Sequence, residues 1–218
     1  MIKFHVSHDI LLSYAAGTLD EASSLLVATH LALCPHCRSR NAAADSLGGY
    51  LLESIDEEPV SQVMKNAVLA RIRNEPPAEP VKPPVARPAS AIIPDPLRSY
   101  LGHDLDGLQW KTLAPRVQQV LIPTSDNSRA KARLLRFKSG MTVPSHGHNG
   151  RELTLVLTGS LCDGDIVLHR GDIAETDERT EHQPFAGPDE DCICLAVTDA
   201  PLRFKGILAR ALQPFFGI

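Results

Sequence analysis

The first part of the chain alternates apolar and polar positions with a helical period. In "SHDILLSYAAG" apolar residues recur three and four positions apart, Ser7 is a suitable N-cap, and Gly17 is a typical stop. The run "LDEASSLLVATHLALC" begins with acidic residues, which helix N-termini favour, and carries an apolar stripe that includes His30 and Cys34. The pattern therefore predicts two helices, with His30 and Cys34 on one face of the second.

Two more helices are predicted before residue 75. Pro35 favours a helix start, so that Cys37 lies at the beginning of a third helix, which continues through "RSRNAAADSLGGYLLESI". The fourth helix, "PVSQVMKNAVLARIR", carries its apolar residues along one stripe before prolines end it.

A proline-rich run follows these helices, from Pro76 to Pro96. Proline lacks a backbone donor and fixes φ, so neither a helix nor a sheet can continue through it. A structureless loop of this length is uncommon inside one compact domain, so the run predicts an extended tether over residues 76–98. It divides the chain into a first domain, 1–75, and a second, 99–218.

The second domain has the pattern of a β protein. Short β-rich runs such as "ARLLRFK", "ELTLVLTG" and "DCICLAVT" are separated by turn signals such as "SG", "HNG" and "RGD". This pattern predicts a small barrel or jelly roll. The expected fold class is thus a multidomain α+β protein, with an all-α domain followed by an all-β domain.

Composition and charge restrict the function. The chain has 218 residues, 43% hydrophobic and 22% charged, with a net charge of −4, so it can bury a core and has no overall attraction to phosphate backbones. Residues 1–75 contain six Lys/Arg against nine Asp/Glu, which argues against a DNA-binding zinc finger. No stretch approaches the roughly 18 apolar residues of a membrane span, and the start lacks the apolar core of a signal peptide. We therefore expect a cytoplasmic protein that binds neither nucleic acid nor membrane.

The stretch "ATHLALCPHC" is a candidate metal site. His30, Cys34 and Cys37 offer three ligands between a helix face and the following turn, and structural zinc takes four. His5 is the best candidate for the fourth, because His36 and His8 are less free to converge. A redox dithiol or simple helix packing would also use these cysteines, although the βαβ context of a thioredoxin is absent.

The run "HVSHDILLSYAAGTLDEASSLLVATHLALCPHC" resembles the N-terminal domain of the zinc-binding anti-sigma factors of the ChrR type, in which a helical zinc domain precedes a cupin. The resemblance extends over essentially the whole chain. It implies that His5, His30, Cys34 and Cys37 bind zinc. It also implies that the partner is a sigma factor of the extracytoplasmic-function class in a 1:1 complex, and that the signal is singlet oxygen or organic hydroperoxide stress.

The second domain resembles a cupin. Gly140, then five residues, His146 and His148, three residues, Glu152, six residues and Gly159 reproduce the first cupin motif without a gap. A spacing of this length is specific.

The second cupin motif is matched less completely. Gly171 and His182 lie at the expected separation, while the usual proline, glycine and asparagine are replaced by Asp177, Arg179 and Ala186. This departure affects turns more than ligands.

Four side chains of these motifs are candidate ligands of a second metal. Alternate residues of a strand face the same side, so His146 and His148 both point into the barrel, where Glu152 and His182 can complete the set. The set suits zinc, iron, manganese or nickel, and we expect zinc. Alternatively, the histidines are buried without a metal.

The remaining candidate side chains have simpler interpretations. Cys192 and Cys194 share one strand face, and Cys162 lies on another segment, so packing in the β core is favoured over a thiol role near the metal. His169 is expected in an exposed turn.

Together these features indicate a regulator in which the helical domain sequesters a sigma factor and the cupin receives the signal that releases it, without catalysis. Apolar helix residues either contact the partner or form the core; these are Leu51, Leu52, Val63, Met64 and Leu69. The alternative is a cupin metalloenzyme, a dioxygenase or isomerase, in which the helical zinc domain serves oligomerisation. A DNA-binding cupin regulator is disfavoured by the acidic first domain.

Overall fold

A computed structural model describes residues 1–75, 92–125 and 128–204 of the chain. Helices occupy its first part and strands its second, which confirms the α+β class. The α-helices are α1 (His8–Ala15), α2 (Glu21–Leu33), α3 (Pro35–Glu53), α4 (Gln62–Asn74) and α5 (Asp95–Leu101), followed by a short 3-10 helix (Leu105–Gly107).

All four predicted helices are present, and side-chain caps mark the start of three of them, α2, α3 and α4. The Asp20 carboxylate accepts a hydrogen bond from the Ser23 backbone N–H at 2.8 Å and so begins α2. Cys34 ends α2 and caps α3, because its sulfur accepts from the Cys37 backbone N–H at 3.4 Å and Pro35 occupies the first turn. The two cysteines are therefore brought together by the helix junction itself.

Helix α5 differs from the prediction, since it begins inside the segment that we expect to be an extended tether. Pro94 is its N-cap and Pro96 lies in its first turn, where a missing N–H costs nothing. Leu97 is fully buried and fixes the helix to the rest of the protein. The tether prediction for residues 76–91 lies outside the described residues.

Twelve β-strands follow the helices in the described part of the chain. They are β1 (Lys111–Ala114), β2 (Val117–Ile122), β3 (Lys131–Phe137), β4 (His146–His148), β5 (Glu152–Thr158), β6 (Ser160–Asp163), β7 (Ile166–His169), β8 (Ile173–Thr176), β9 (Glu181–His182), β10 (Phe185–Ala186), β11 (Cys192–Thr198) and β12 (Leu202–Phe204).

The strands form three antiparallel sheets. The largest has the order β1-β2-β3-β11-β5-β8, and the two smaller ones have the orders β10-β6-β7 and β12-β4-β9. Residues from all three sheets line one cavity of about 190 Å³, so the sheets enclose a common interior as a barrel. This is the cupin-like architecture that the sequence predicts.

The six-stranded sheet is covered on both faces, which explains why every residue of β11 is buried. Cys192 and Cys194 belong to an apolar cluster inside the barrel, as the packing interpretation expects. Ile193 and Leu195 point the other way, into a second cluster that also contains Leu26 of α2. One core therefore joins the sheet to the helices.

Polar contacts tie the two regions together as well. The Glu21 carboxylate at the start of α2 accepts hydrogen bonds from the Tyr100 hydroxyl and the Ser125 hydroxyl, both at 2.8 Å. The Arg170 guanidinium of the barrel donates to the Ile92 carbonyl at 2.8 Å. The helices thus pack directly on the barrel, and the division at residues 75 and 99 into separate domains stays a prediction.

Candidate metal centres

The first candidate centre is formed by an extended N-terminal segment and the junction of two helices. His30 and Cys34 lie four positions apart on α2, Cys37 lies in the first turn of α3, and His5 lies just before α1. The structure brings one ligand atom from each of these four side chains to within 4.8 Å of the others. These are the four residues that the resemblance implies.

The distances suit a tetrahedral zinc ion. The Nδ1 atom of His5 is 3.4 Å from Sγ of Cys34 and 3.6 Å from Sγ of Cys37. Zn–N bonds of about 2.0 Å and Zn–S bonds of about 2.3 Å in a tetrahedron would separate nitrogen from sulfur by about 3.5 Å. The spacing of these atoms is therefore already that of a metal site.

His30 has the hydrogen bonding of a metal ligand. Its Nδ1 lies 2.9 Å from the Gly171 carbonyl oxygen, which can only accept, so Nδ1 carries the proton and Nε2 presents a lone pair. That Nε2 is buried and has no hydrogen-bond partner among the described residues. A cation at the centre would satisfy it.

Burial controls the charge of the first centre. It lowers the pKa of His30 to about 4, and burial with the neighbouring His36 imidazole lowers the pKa of His5. Burial and the adjacent Cys34 thiol raise the pKa of Cys37 to about 11. The imidazoles are therefore neutral, as ligands must be, and a bound cation would provide the charge that stabilises the thiolates.

The two alternative histidines lie outside this group. His8 Nδ1 is 3.2 Å from a guanidinium nitrogen of Arg40. The His36 ring packs at 4.7 Å from the ring of His5.

The second candidate centre lies in the barrel, where strands β4 and β9 pair His146 with His182. The Nε2 atom of His182 is 3.1 Å from Nε2 of His146 and 3.2 Å from Nε2 of His148. Tetrahedral zinc would hold two such nitrogens about 3.3 Å apart. Three lone pairs directed at one point are favourable when a cation occupies that point.

Burial also favours the neutral form of two of these imidazoles, those of His146 and His148. It lowers the pKa of His148 to about 4, with a further contribution from the rings of His146 and His182, and it lowers the pKa of His146. The Nδ1 atoms of His146 and His182 face oxygen atoms, at 2.9 Å from the Pro144 carbonyl and 2.7 Å from the Asp163 carboxylate. These contacts direct both Nε2 atoms inward.

Glu152 lies beside the three histidines rather than within their group. One carboxylate oxygen is 3.5 Å from Nδ1 of His148, and the other accepts a hydrogen bond from the Thr154 hydroxyl at 2.9 Å. Burial raises the pKa of this carboxyl. Its role as fourth ligand stays a prediction.

The barrel cavity reaches this centre, because His146, Glu152 and His182 form part of its wall. Most of the remaining wall is apolar and includes Leu135, Phe137, Met141, Val143, Leu161 and Phe204. A small molecule with apolar groups would fit beside the histidines.

Sequence reasoning missed the groups that orient the ligands. Asp163 contacts His182 across 19 positions of sequence, and Gly171 contacts His30 across 141. Such pairs depend on strand register and on helix docking, for which the sequence carries no local signal. The sequence indicates Gly171 only as a glycine of the second cupin motif.

Helices α3 and α4 expose an unusual amount of apolar surface. No residue of α4 is buried in the part of the chain that the structure describes. The exposed apolar side chains on and next to these helices are Leu47, Tyr50, Leu51, Leu52, Ile55, Val60, Val63, Met64, Val68 and Ile72, while Leu69 is half-buried. None of the described helices is both long and apolar enough to cross a membrane.

A family model, a curated protein and a solved structure all match this chain to ChrR proteins. Residues 100–201 match the ChrR cupin-like domain family. The chain is 45% identical over 217 residues to the anti-sigma-E factor ChrR of Cereibacter sphaeroides, an alignment that covers 100% of this chain and 99% of that protein. In the crystal structure of Rhodobacter sphaeroides SigE in complex with the anti-sigma ChrR, one chain matches with a TM-score of 0.78 and 42% identity, covering 91% of this chain and 100% of that one.

Proposed function

The chain belongs to the ChrR family of anti-sigma factors, and on that premise we propose that its helical region sequesters a sigma factor of the extracytoplasmic-function class and that its barrel triggers release under oxidative stress. The complex has one copy of each protein, and the signal is singlet oxygen or an organic hydroperoxide. The site of action is the cytoplasm, where sigma factors bind RNA polymerase. No catalysis is required.

The main support for sigma-factor binding is the exposed apolar surface of α3 and α4. Side chains such as Leu51, Met64 and Val68 are exposed, although an amphipathic helix normally buries its apolar stripe. A helical stripe of this kind fits a groove or a second helical surface on a partner. The relative that was crystallised with SigE supports a sigma factor as that partner.

The first metal centre would stabilise this surface. We propose that His5, His30, Cys34 and Cys37 bind zinc, which would fix the start of α3 against α2 and the N-terminal segment. Structural zinc contributes directly to the free energy of folding. The exposed part of α3 continues from the turn that holds Cys37, so the metal would set its direction.

The second centre would receive the signal. We propose that His146, His148 and His182, with Glu152 as the fourth ligand, bind a divalent metal, which we expect to be zinc. A bound divalent metal would act as a Lewis acid toward a peroxide oxygen. The apolar cavity beside the histidines supports access for a small organic oxidant.

A reporter of sigma-dependent transcription tests the division of roles. His146→Ala, His148→Ala and His182→Ala each remove a ligand from the barrel, so we expect inhibition to persist while release by the oxidant fails. His169→Ala is the matched control, because His169 is an exposed barrel histidine outside the group. A variant that has lost its barrel metal and still releases the sigma factor normally would refute the barrel as the sensor.

Purification from the host distinguishes the proposed anti-sigma function from the alternative of a metalloenzyme. An anti-sigma factor should elute with its host's sigma factor at equal stoichiometry. A cupin dioxygenase or isomerase would instead convert a small acid in the absence of any partner.

A further inference from the structure

The turn at residues 169–172 of the barrel lies directly behind the first metal centre. It connects β7 to β8, and its Gly171 carbonyl accepts the Nδ1 proton of His30 at 2.9 Å. Because His30 is completely buried, this hydrogen bond determines which ring nitrogen faces the centre. A barrel residue therefore sets the tautomer of a helical residue.

The same turn fixes the segment that carries His5. One oxygen of the buried Asp172 carboxylate accepts from the backbone N–H groups of Lys3 and Phe4, at 2.7 and 3.0 Å. Its other oxygen accepts from the His169 N–H at 2.8 Å, which closes the turn. Two charge-assisted hydrogen bonds thus join the turn to the residues just before His5, and a third holds the turn itself.

Two further contacts align this N-terminal segment along β8. The Ile173 N–H donates to the Phe4 carbonyl at 3.2 Å, and the Ser7 N–H donates to the Glu175 carboxylate at 2.7 Å. Gly171 has a φ of +91°, and a Cβ there would lie 2.5 Å from Cδ1 of Ile2. The N-terminal segment consequently packs on the turn at a point where only glycine fits.

We propose that Gly171 and Asp172 are positioning residues of the first metal centre, so that the barrel controls how tightly the helical region binds its metal. The proposal rests on metal binding by His5, His30, Cys34 and Cys37. The two cysteines lie at the α2–α3 junction, whereas the barrel turn contacts His30 directly and holds the segment that carries His5. Residues that orient histidine ligands typically change metal affinity by about 10- to 100-fold when they are removed.

Cobalt titration of the full-length chain tests this proposal. Thiolate-to-cobalt charge-transfer absorption reports only the first centre, because the second contains no cysteine. We expect Asp172→Asn and Asp172→Ala to weaken cobalt binding at this band by about 10- to 100-fold and to change the d–d spectrum.

Asp104→Asn is the matched control. The Asp104 carboxylate also accepts from three backbone N–H groups, those of Ile92, Ile93 and Leu105, at 2.9, 3.2 and 2.8 Å. It contacts none of the proposed ligands, so this variant should lose comparable stability and keep wild-type cobalt affinity. The proposal would be overturned if the Asp104 and Asp172 variants lost cobalt affinity equally. It would also be overturned if the Asp172 variants kept wild-type cobalt affinity.

A second measurement needs no variant. In ¹⁵N NMR spectra of the zinc-bound full-length chain, His30 should show a protonated, slowly exchanging Nδ1 and a metal-bound Nε2. Metal at Nδ1, or rapid exchange of its proton, would refute the role of Gly171. If the wild-type chain shows no thiolate-to-cobalt band, the proposed metal site itself fails, which is a separate result.

Discussion

His148 is neutral in the folded barrel because burial lowers its pKa to about 4, against 6.5 for an exposed imidazole. In the metal-stripped chain the unfolded state therefore binds a proton between these two values, and the folded state does not. The stability that His148 contributes is complete above pH 6.5 and is lost as the pH falls to about 4. This contribution to the free energy of unfolding is at most about 3 kcal/mol.

Urea unfolding at pH 7 and pH 4.5 measures this loss. Trp110, the single tryptophan, packs on the core and under the Arg136 guanidinium at 4.2 Å, so its fluorescence follows the barrel. We expect His148→Gln to reduce the acid-induced fall in the free energy of unfolding and His169→Gln to leave it unchanged. Because the pKa of Glu152 is raised, that carboxyl acts in the opposite direction, and the comparison with the variant isolates His148.

Cys37→Ser tests the structural role of the first metal. Serine is a poor zinc ligand, so we expect the variant to lose one zinc per chain together with much of the far-ultraviolet helical signal. Cys162→Ser is the control, because Cys162 is a buried thiol outside both centres. Full helicity in zinc-free protein would show that the centre is not structural.

The proposed ligands could be predicted from sequence, and the residues that orient them could not. Helix spacing indicates His30, Cys34 and Cys37, and both the resemblance and the position before α1 indicate His5. The carboxylate of Asp163 and the carbonyl of Gly171 reach their histidines only after distant segments have packed together. These two contacts therefore depend on the tertiary structure and have no local signal in the sequence.

At the scale of elements, long segments with clear periodicity were predictable and short ones were not. Strands β3, β5 and β11 coincide with the three β-rich runs that the sequence indicates. Strands of two or three residues, such as β9 and β10, depend on pairing with neighbours rather than on their own composition. Helix α5 was missed because the prolines that begin it also resemble a tether.

Helix α4 provides the sharpest test of partner binding. Met64 and Val68 lie four positions apart on one exposed face, so replacing both with alanine should leave the stability of the free chain unchanged. Loss of two buried interface side chains should weaken sigma binding by about 2 kcal/mol, or roughly 30-fold.

Calorimetric titration of the sigma factor measures this change. Asn66→Ala on the polar part of the same helix is the control, since it alters an exposed residue without removing apolar surface. Unchanged affinity in the double variant would place the interface elsewhere.

At the scale of the whole molecule, the helices and the barrel share a core. Leu26 and Val27 of α2 are completely buried in the cluster that contains Leu155 and Leu195 of the sheet. The proline-rich run suggested two regions with little cooperative folding between them, whereas this shared core predicts that each stabilises the other. Expressing the helical region and the barrel as separate chains should therefore lower the free energy of unfolding of each.

A fragment of residues 1–75 makes this prediction specific. It retains α3 and α4 and should still bind the sigma factor, but it exposes the barrel-facing side of α2 and lacks Gly171 and Asp172. We expect it to unfold at lower temperature and to release zinc to a chelator faster than the full chain does. Equal zinc release from both would mean that the barrel contributes nothing to the helical region.

The position of the N-terminal segment has a consequence for solubility. Strand β8 ends the six-stranded sheet, and the backbone of Phe4 covers its outer edge. An uncovered edge strand presents free backbone donors and acceptors, which promote pairing between molecules. A barrel made without its first 75 residues should therefore associate edge to edge, whereas in the whole chain the ribosome produces the protecting segment before the strand that it protects.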